Sequence, residues 1–446
     1  MKKYSDKEIK KLLKENELLK KENYAYKTVV SSRRFQHAEK IATVYNQILP
    51  KWSKRRNVAE GTYKTIRKPF VAIKSYRKEK INRRILKLAK PFNKVMVIDS
   101  IPWDDKLKQR PHHLAKEFRK LGFFVVYFEG SNYVQKFREV GDGIITINSH
   151  VYLAGLPKQC KNCFFLLPNT MATPIEVVNQ VKKDGYKIIY EYIDEFHGDI
   201  SGDLSVQLAI WDELKRIKPV LCVASAKALK ADLEKHLGTK QKIVLAPNAV
   251  FTEHFNYKMN NTELPPADLK PIVDKGNGII GFYGALAPWI DFDLINNIAR
   301  KHREWDIVLL GIDYNNAAKN LAKEKNIHNL GAKKYEELSK YSKFFNCAII
   351  PFKHGNIAKA TSPIKLFEYM AAGLPTVCTR DLRECRGYDY VYMAKDDAEF
   401  EEDLKEALDA YRDNACRERL LEQAEDNTWA RRAEDIAGAL SIKKSS

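Results

Sequence analysis

Several features that would assign this chain to a familiar class are missing from its sequence. No run of about 18 apolar residues occurs, so no transmembrane helix is predicted. The lysine-rich N-terminal residues lack the apolar stretch of a secretion signal, and the seven cysteines suggest no disulfide framework. Cys160 and Cys163 have no second pair beside them, so we interpret them as reduced thiols and expect a cytoplasmic protein.

The usual nucleotide-binding signatures are absent as well. Neither a GxGxxG turn nor a P-loop occurs, so binding of a dinucleotide or a phosphate by those motifs is not supported. The chain nevertheless has 446 residues, of which 44% are hydrophobic and 11% are aromatic. This composition predicts two or three packed units.

The positive charge is concentrated in an N-terminal arm, residues 1–91. Residues 1–90 contain 27 Lys and Arg against 8 Asp and Glu, whereas the net charge of the whole chain is +20. The rest of the chain is therefore nearly neutral. This asymmetry predicts an acidic partner for the arm rather than for an active site.

Two apolar patterns lie within the arm. A heptad seam over residues 9–30 predicts a coiled-coil homodimer, with a solvated single helix as the alternative. A basic amphipathic helix within residues 50–90 predicts contact with an anionic membrane surface. Packing against the rest of the protein is the second interpretation, and nucleic-acid binding is the least favoured. The amphipathic stripe consists of Ile66, Phe70, Ile73, Ile81, Ile85 and Leu88.

Beyond residue 91, short apolar runs alternate with helical stretches, which is typical of doubly wound α/β sheets. We predict two Rossmann-like parallel-sheet domains facing a cleft, at 92–256 and 278–425, with a linker at 257–277. Residues 426–446 are predicted to be a helix that crosses back to the first domain. The predicted strands are 95–99, 123–129, 144–148, 163–167, 188–193, 220–224, 243–246, 278–283, 306–310, 327–330, 347–351, 376–378 and 390–393.

The segment 361–375 carries the most chemical information. We expect Ser362 to cap a helix that starts at Pro363 and ends at a glycine. The free amides of such a start bind phosphate, and Lys365 adds a positive charge. Glu368, one turn later, is placed to accept hydrogen bonds from sugar hydroxyls. A plain capped helix, with both charged side chains solvated, is the alternative.

This segment closely resembles the SPxKxxEYxAxGxP signature of the retaining glycosyltransferases of family four, also called group 1. Four further segments resemble that family in the correct order: 109–115, 192–195, 247–250 and 281–286, the last followed by Trp289 and Asp291. The resemblance covers roughly residues 94–440 and leaves the arm outside it. It implies the two-domain GT-B fold, a nucleotide-sugar donor, retention of configuration, and neither a cofactor nor a metal.

The resemblance also implies roles for individual residues, and Lys365, Glu368 and Asp291 are expected to act in catalysis. Ala360 departs from the family, because it replaces the first Glu of the common E-x7-E pattern, which often contacts the transferred sugar. Asp194 ends a strand, where ligands gather, although it is also placed to cap the following helix. The acceptor-binding candidates are Arg110, His113 and Asp194, and a purely structural role is the alternative for His113. The donor-binding candidates are Gly284, Ala285, Ser362, Pro363, Ile364, Lys365 and Glu368.

The expected function is transfer of a sugar to a glycan or lipid-linked glycan in cell-surface polysaccharide synthesis. The protein is expected in the cytoplasm, peripheral to the inner face of the membrane. The alternative function is a non-catalytic nucleotide-sugar-binding scaffold organised by the coiled-coil arm. Sugar phosphorylases and epimerases share the fold and form a third class.

Overall fold

The computed structural model describes residues 79–105, 108–129, 137–198, 203–259 and 264–440. The predicted coiled-coil seam at 9–30 and the membrane-contact stretch as far as residue 78 lie outside these residues. The chain divides into two compact units, residues 1–80 and 81–446. The sheets and the candidate site belong to the second unit.

The second unit contains two sheets with helices between their strands. The strands of the first sheet are β1 (Lys94–Ser100), β2 (Phe124–Glu129), β3 (Phe137–Val140), β4 (Ile144–Ile147), β5 (Asn162–Pro168), β6 (Lys187–Tyr192), β7 (Leu221–Ala224) and β8 (Ile243–Leu245). Those of the second are β9 (Gly278–Tyr283), β10 (Trp305–Leu310), β11 (Ile327–Asn329), β12 (Cys347–Ile350), β13 (Thr376–Thr379) and β14 (Val391–Ala394).

The α-helices follow the strands in alternation. After α1 (79–89) they are α2 (Arg110–Lys120), α3 (Leu156–Gln159), α4 (Ile175–Lys183), α5 (Ser205–Ile217), α6 (Lys227–Leu237), α7 (Thr252–Phe255) and α8 (Lys270–Val273). In the second half they are α9 (Phe292–Lys301), α10 (Leu338–Ser342), α11 (Asn356–Ala360), α12 (Ile364–Ala371), α13 (Asp397–Ala410), α14 (Asn414–Glu425) and α15 (Trp429–Ala439).

The predicted fold class is confirmed. The strand order is β3-β4-β2-β1-β5-β6-β7-β8 in the first sheet and β11-β10-β9-β12-β13-β14 in the second. Neighbouring strands are parallel throughout both sheets, except that β3 runs antiparallel to β4. The sequence predicts the thirteen parallel strands but not β3, because this short edge strand is half-exposed and carries two charged residues.

Both faces of the first sheet are covered. Val95 and Val97 of β1 point to one apolar core, whereas Met96 and Ile98 point to another. Trp429, the first residue of α15, is fully buried in the second of these cores, so the last helix packs on the first sheet. All seven cysteines are buried, and none is joined to another in a disulfide.

The described part of the amphipathic stripe packs on the protein. Ile85 is 1% exposed in the core of the first sheet, and Ile81 and Leu88 pack beside it. For these three residues the structure shows packing on the body, because their apolar side chains face the core, whereas membrane contact by the arm stays a prediction. Within the described residues, no helix is long and apolar enough to cross a membrane.

The predicted linker, 257–277, contains residues of the hydrophobic core around the second sheet and follows another one. Phe255 lies before it, and Leu269 and Ile272 lie within it, yet all three are buried in the cluster around the second sheet. The exact domain limits stay a prediction.

Candidate active site

Helix α12 begins at the carboxyl edge of the second sheet. It runs from Ile364 to Ala371, and Pro363, at its N-cap position, makes no side-chain capping hydrogen bond. Gly373 follows the helix with a φ of +66°, which is the conformation of a glycine that ends a helix. The amides of the first turn therefore lie at a helix start that is suited to an anion.

The prediction that Ser362 caps this helix is wrong. Its hydroxyl accepts a hydrogen bond from the backbone N–H of Asn248 at 3.1 Å. The Asn248 side chain in turn donates from Nδ2 to the Ser362 carbonyl at 2.6 Å. Ser362 is thus hydrogen-bonded to the segment 247–250 rather than to the helix. Ile364 packs against the core that contains Trp429.

Lys365 lies against the end of β9. A Cβ atom added at Gly284 would lie 2.9 Å from Lys365 Cε and 3.1 Å from Nζ, so glycine leaves the space that this side chain occupies. The Nζ atom lies 5.2 Å from the ring centroid of Phe282 and 5.3 Å from that of Phe352. Burial lowers the Lys365 pKa to about 8, and the nearby Glu368 carboxylate opposes this shift. The ammonium form therefore predominates at neutral pH.

The turn after β9 is held close to the end of β10. Gly284 has a φ of +137°, which favours glycine, and its carbonyl oxygen would lie 1.8 Å from a Cβ atom at Gly311. Ala285 is the next residue of this turn and is half-buried. Gly311 was not predicted from the sequence, although a glycine directly after an apolar strand is a signal of close backbone approach.

Glu368 is more deeply buried than predicted. It is 3% exposed, so the alternative of a solvated carboxylate is wrong for this residue. Burial raises its pKa to about 7, and Tyr283, Lys365 and Tyr335 lower it in part. The hydroxyls of both tyrosines interact with the carboxylate but do not reach full hydrogen-bond geometry.

The side chain of Asp291 has a structural role. Its side chain accepts a hydrogen bond from the Leu294 amide at 3.0 Å and caps α9. Its own amide donates to the Pro351 carbonyl at 2.8 Å, directly after β12. A catalytic role for Asp291 stays a prediction. Among the described residues, no group of three His, Cys, Asp or Glu side chains is placed to hold a metal ion, and metal independence also stays a prediction.

Arg110 does not face an open acceptor site. It is 2% exposed, and its Nε donates to Glu191 Oε1 at 2.8 Å in a buried ion pair. Its NH1 group donates to the Pro247 carbonyl at 3.1 Å and to Asn248 Oδ1 at 3.3 Å. Its NH2 group has no hydrogen-bond partner among the described residues, and direct contact with an acceptor stays a prediction.

His113 lies in an aromatic cluster rather than at an open surface. Its ring stacks on Trp429 with centroids 5.0 Å apart and lies 5.2 Å from both Phe251 and Tyr335. Burial, reinforced by positively charged neighbours, holds its pKa well below the usual value, so the ring is neutral. This geometry corresponds to the structural alternative given for His113.

Asp194 is the predicted acceptor residue whose carboxylate remains free. Its backbone is fixed by Asn169, whose Nδ2 donates to the Asp194 carbonyl at 2.7 Å. Burial raises the Asp194 pKa to about 6, and the positive charge of Arg110 lowers it in part. Within the described ranges, its carboxylate makes no hydrogen bond to the protein, and it caps no helix.

Asp99, the penultimate residue of β1, is a second such carboxylate and was not predicted from the sequence. Thr173 donates a hydrogen bond to it, and burial raises its pKa to about 7. The signal was available, since an acidic residue that ends a buried apolar strand is the same pattern that singled out Asp194. Perturbed carboxylates at strand ends are typical of functional sites.

The two sheets meet closely beside α12. Ala360, at the end of α11, is 5% exposed and belongs to the same core cluster as Ala224 and Leu229 of the first domain. Two cavities of about 580 and 630 Å³ are lined neither by Lys365 nor by Asp194, and the second is lined in part by Tyr335, the neighbour of Glu368.

Residues 277–410, which include β9 to β14 and helix α12, match the family model described as glycosyl transferases group 1. These residues are thus similar to the group 1 glycosyltransferases. The resemblance found in the sequence is confirmed for this domain, which contains Gly284, Asp291, Lys365 and Glu368.

A curated relative also matches the chain. It is TuaH of Bacillus subtilis (strain 168), which is named as a candidate teichuronic acid biosynthesis glycosyltransferase. The identity is 28% over 171 residues, which are 37% of this chain and 41% of the relative. The match thus spans about two fifths of the length of that protein.

Solved structures share the fold of the whole body. A glycosyltransferase from Rickettsia africae has a TM-score of 0.61 at 12% identity and covers 80% of this chain and 100% of its own. Sucrose-phosphate synthase from Thermosynechococcus elongatus gives 0.59 at 12% identity, with 77% and 98% coverage. Anabaena HepE in complex with UDP-glucose gives 0.58 at 12% identity, with 78% and 99% coverage. The glycosyltransferase domain therefore belongs to a GT-B architecture.

Proposed function

We propose that this protein transfers a sugar from a nucleotide-sugar donor to a glycan acceptor during polysaccharide synthesis. The observation that supports this function best is the contact between Lys365 and Gly284 at the start of α12, inside the glycosyltransferase domain. A helix start and an ammonium group at the carboxyl edge of a parallel sheet are suited to a diphosphate. HepE, which shares the fold, is described in complex with UDP-glucose.

In the proposed mechanism, positive charge develops on the donor sugar and negative charge on the departing diphosphate. Lys365 and the first amides of α12 stabilise the diphosphate electrostatically, with no metal ion. Transfer proceeds with retention, and the departing phosphate takes the proton of the acceptor hydroxyl. Asp194 and Asp99 orient the acceptor from the first domain, since Asp99 is the penultimate residue of β1 and Asp194 lies two residues after β6, both at the carboxyl edge of the first sheet.

The acceptor is proposed to be a lipid-linked glycan at the inner face of the membrane, with the protein in the cytoplasm. The basic charge of residues 1–90 supports attraction to an anionic surface. TuaH, by its name a teichuronic acid enzyme, supports an acceptor in cell-surface polysaccharide synthesis.

A calorimetric titration with a panel of nucleotide sugars tests the donor site. Because Lys365 is proposed to bind the diphosphate, Lys365→Ala should weaken binding about 10- to 100-fold, as expected for a charge-assisted hydrogen bond of roughly 1.5–3 kcal/mol. Lys325 is a matched control, because it is exposed at the amino-terminal edge of the same sheet, and Lys325→Ala should bind as the wild type does. Equal affinities for all three proteins would contradict the site.

A non-catalytic nucleotide-sugar binder is the second candidate function. Ala360, in place of the family's first Glu, favours it, since this residue is buried against the first domain and offers no polar group to a donor sugar. Release of nucleoside diphosphate from the bound donor in the presence of a membrane extract would exclude this candidate. Binding with neither transfer nor hydrolysis would support it.

A further inference from the structure

A buried polar chain joins the two domains next to the proposed donor site. It runs from Glu191 through Arg110 and Asn248 to Ser362. All four residues are buried, with exposures of 0, 2, 8 and 3% in that order. The donor helix begins two residues after Ser362, so the chain ends at the backbone that leads into this helix.

The orientation of the Asn248 amide follows from its partners. The Arg110 guanidinium has only donors, so the Asn248 Oδ1 atom must face it. The Nδ2 group is then directed at the Ser362 carbonyl, which only accepts. Arg110 itself is fixed by its ion pair with Glu191, and the guanidinium lies 5.8 Å from the ring centroid of Trp429. The two partners therefore allow the Asn248 side-chain amide only one orientation.

The segment that contains Asn248 is also tied to the last helix. The Val250 amide donates to the Asn427 carbonyl at 3.1 Å, and the Trp429 amide donates to the Val250 carbonyl at 3.2 Å. On the other side, the Ala246 amide donates to the Ala224 carbonyl at 2.8 Å, so Asn248 sits on a backbone that is fixed on both sides. A fixed group of this kind transmits its position to the residues it binds, since low-dielectric surroundings strengthen its hydrogen bonds.

We propose that Asn248 is a positioning residue for the donor site. Through its two hydrogen bonds to Ser362, it sets the backbone before α12, so that the first amides of the helix and Lys365 are preorganised for a diphosphate. Arg110 acts through Asn248 by fixing its amide, and does not touch the donor. This inference rests on the proposed function.

Two substitutions test this role. Asn248→Ala removes the bond from the side chain to the Ser362 carbonyl. Asn248→Asp keeps an acceptor for Arg110, and so preserves the buried charge pair, but turns an oxygen towards the Ser362 carbonyl. Both variants should bind nucleoside diphosphate about 10-fold more weakly than the wild type. The aspartate variant covers the case in which the alanine variant fails to fold.

Asn326 provides a matched control for the loss of a buried asparagine. It is 5% exposed, and the two N–H groups of its Nδ2 are shared among the carbonyls of Ala299, His302 and Trp305, next to the amino-terminal ends of β10 and β11. Asn326→Ala should lower the melting temperature at least as much as Asn248→Ala and leave nucleotide affinity within twofold of the wild type. A purely structural role for Asn248 would give both variants the same affinity.

The experiment is a calorimetric titration of each protein with UDP, GDP, ADP and CDP, together with thermal denaturation. Weaker binding by both Asn248 variants, with binding by Asn326→Ala unchanged, supports the inference. If the wild type binds a nucleotide and Lys365→Ala loses it, but the Asn248 variants bind as the wild type does, the positioning role is overturned and the donor site stands. If the wild type binds none of the four, both the donor site and the positioning role are overturned.

Discussion

Substitution of Gly284 by alanine tests the geometry of the proposed donor site. Its φ of +137° favours glycine, and forcing a side chain into such a conformation costs roughly 1–3 kcal/mol of folding free energy. The new Cβ would also lie 2.9 Å from Lys365 Cε, which is closer than such contacts occur, so the lysine must move. Displacement of its ammonium from the diphosphate removes a charge-assisted hydrogen bond of roughly 1.5–3 kcal/mol. We expect Gly284→Ala to bind its nucleotide sugar about 10- to 100-fold more weakly.

Gly276→Ala separates backbone strain from displacement of the lysine. Gly276 has a φ of +74°, and a Cβ there would meet no atom within 4 Å. Calorimetric titration and thermal denaturation of both variants should show a lower melting temperature for each but weaker binding for Gly284→Ala alone. In a Lys365→Ala background, Gly284→Ala should weaken binding no further. Equal affinity losses for the two glycine variants, or an additional loss in the double variant, would refute the reasoning.

Three further predictions concern stability. Burial raises the Glu368 pKa from 4.5 to about 7, so between these pH values the folded protein retains a proton that the unfolded chain releases. The free energy of unfolding therefore falls as pH rises through this interval. Glu368→Gln should remove roughly 2–4 kcal/mol of that fall, measured by urea denaturation at pH 4 and pH 8. Trp429→Ala should lower the free energy of unfolding by about 3–5 kcal/mol, because a fully buried ring is lost; a loss below 1 kcal/mol would contradict the packing of α15. Ile85→Ala should cost about 2–5 kcal/mol in the same assay, whereas exposed Lys87→Ala should stay within about 0.5 kcal/mol; equal effects would contradict the packing of α1.

Strands buried on both faces were the most predictable part of the fold. Runs such as Val95–Ile98 are apolar at every position, and this pattern follows from burial between two helical layers. The edge strand β3 was not predicted, because an exposed edge strand does not require apolar side chains. Phe255 precedes the predicted linker and was therefore assigned to the first domain, but it packs in the core around the second sheet. The order of residues in the sequence does not show which core an apolar residue joins.

For the candidate site, residue types were predictable but side-chain directions were not. The pattern at 361–375 located a helix at a sheet edge, and the structure brings Lys365 and Gly284 together there. The partners of Arg110 and Ser362 could not be predicted, because Glu191 and Asn248 are distant in sequence and meet them only after both domains have folded. The interaction of Glu368 with Tyr335 could not be predicted either, because Tyr335 lies 33 residues earlier in the chain.

The most direct test of the donor site is a crystal structure of the protein with the nucleoside diphosphate that binds it most tightly. We predict that a terminal phosphate oxygen lies within hydrogen-bond distance of Lys365 Nζ and of the first amides of α12, with the ribose next to Glu368. Density for the diphosphate elsewhere, with Lys365 still packed against Gly284 and free of ligand, would contradict the proposed donor site.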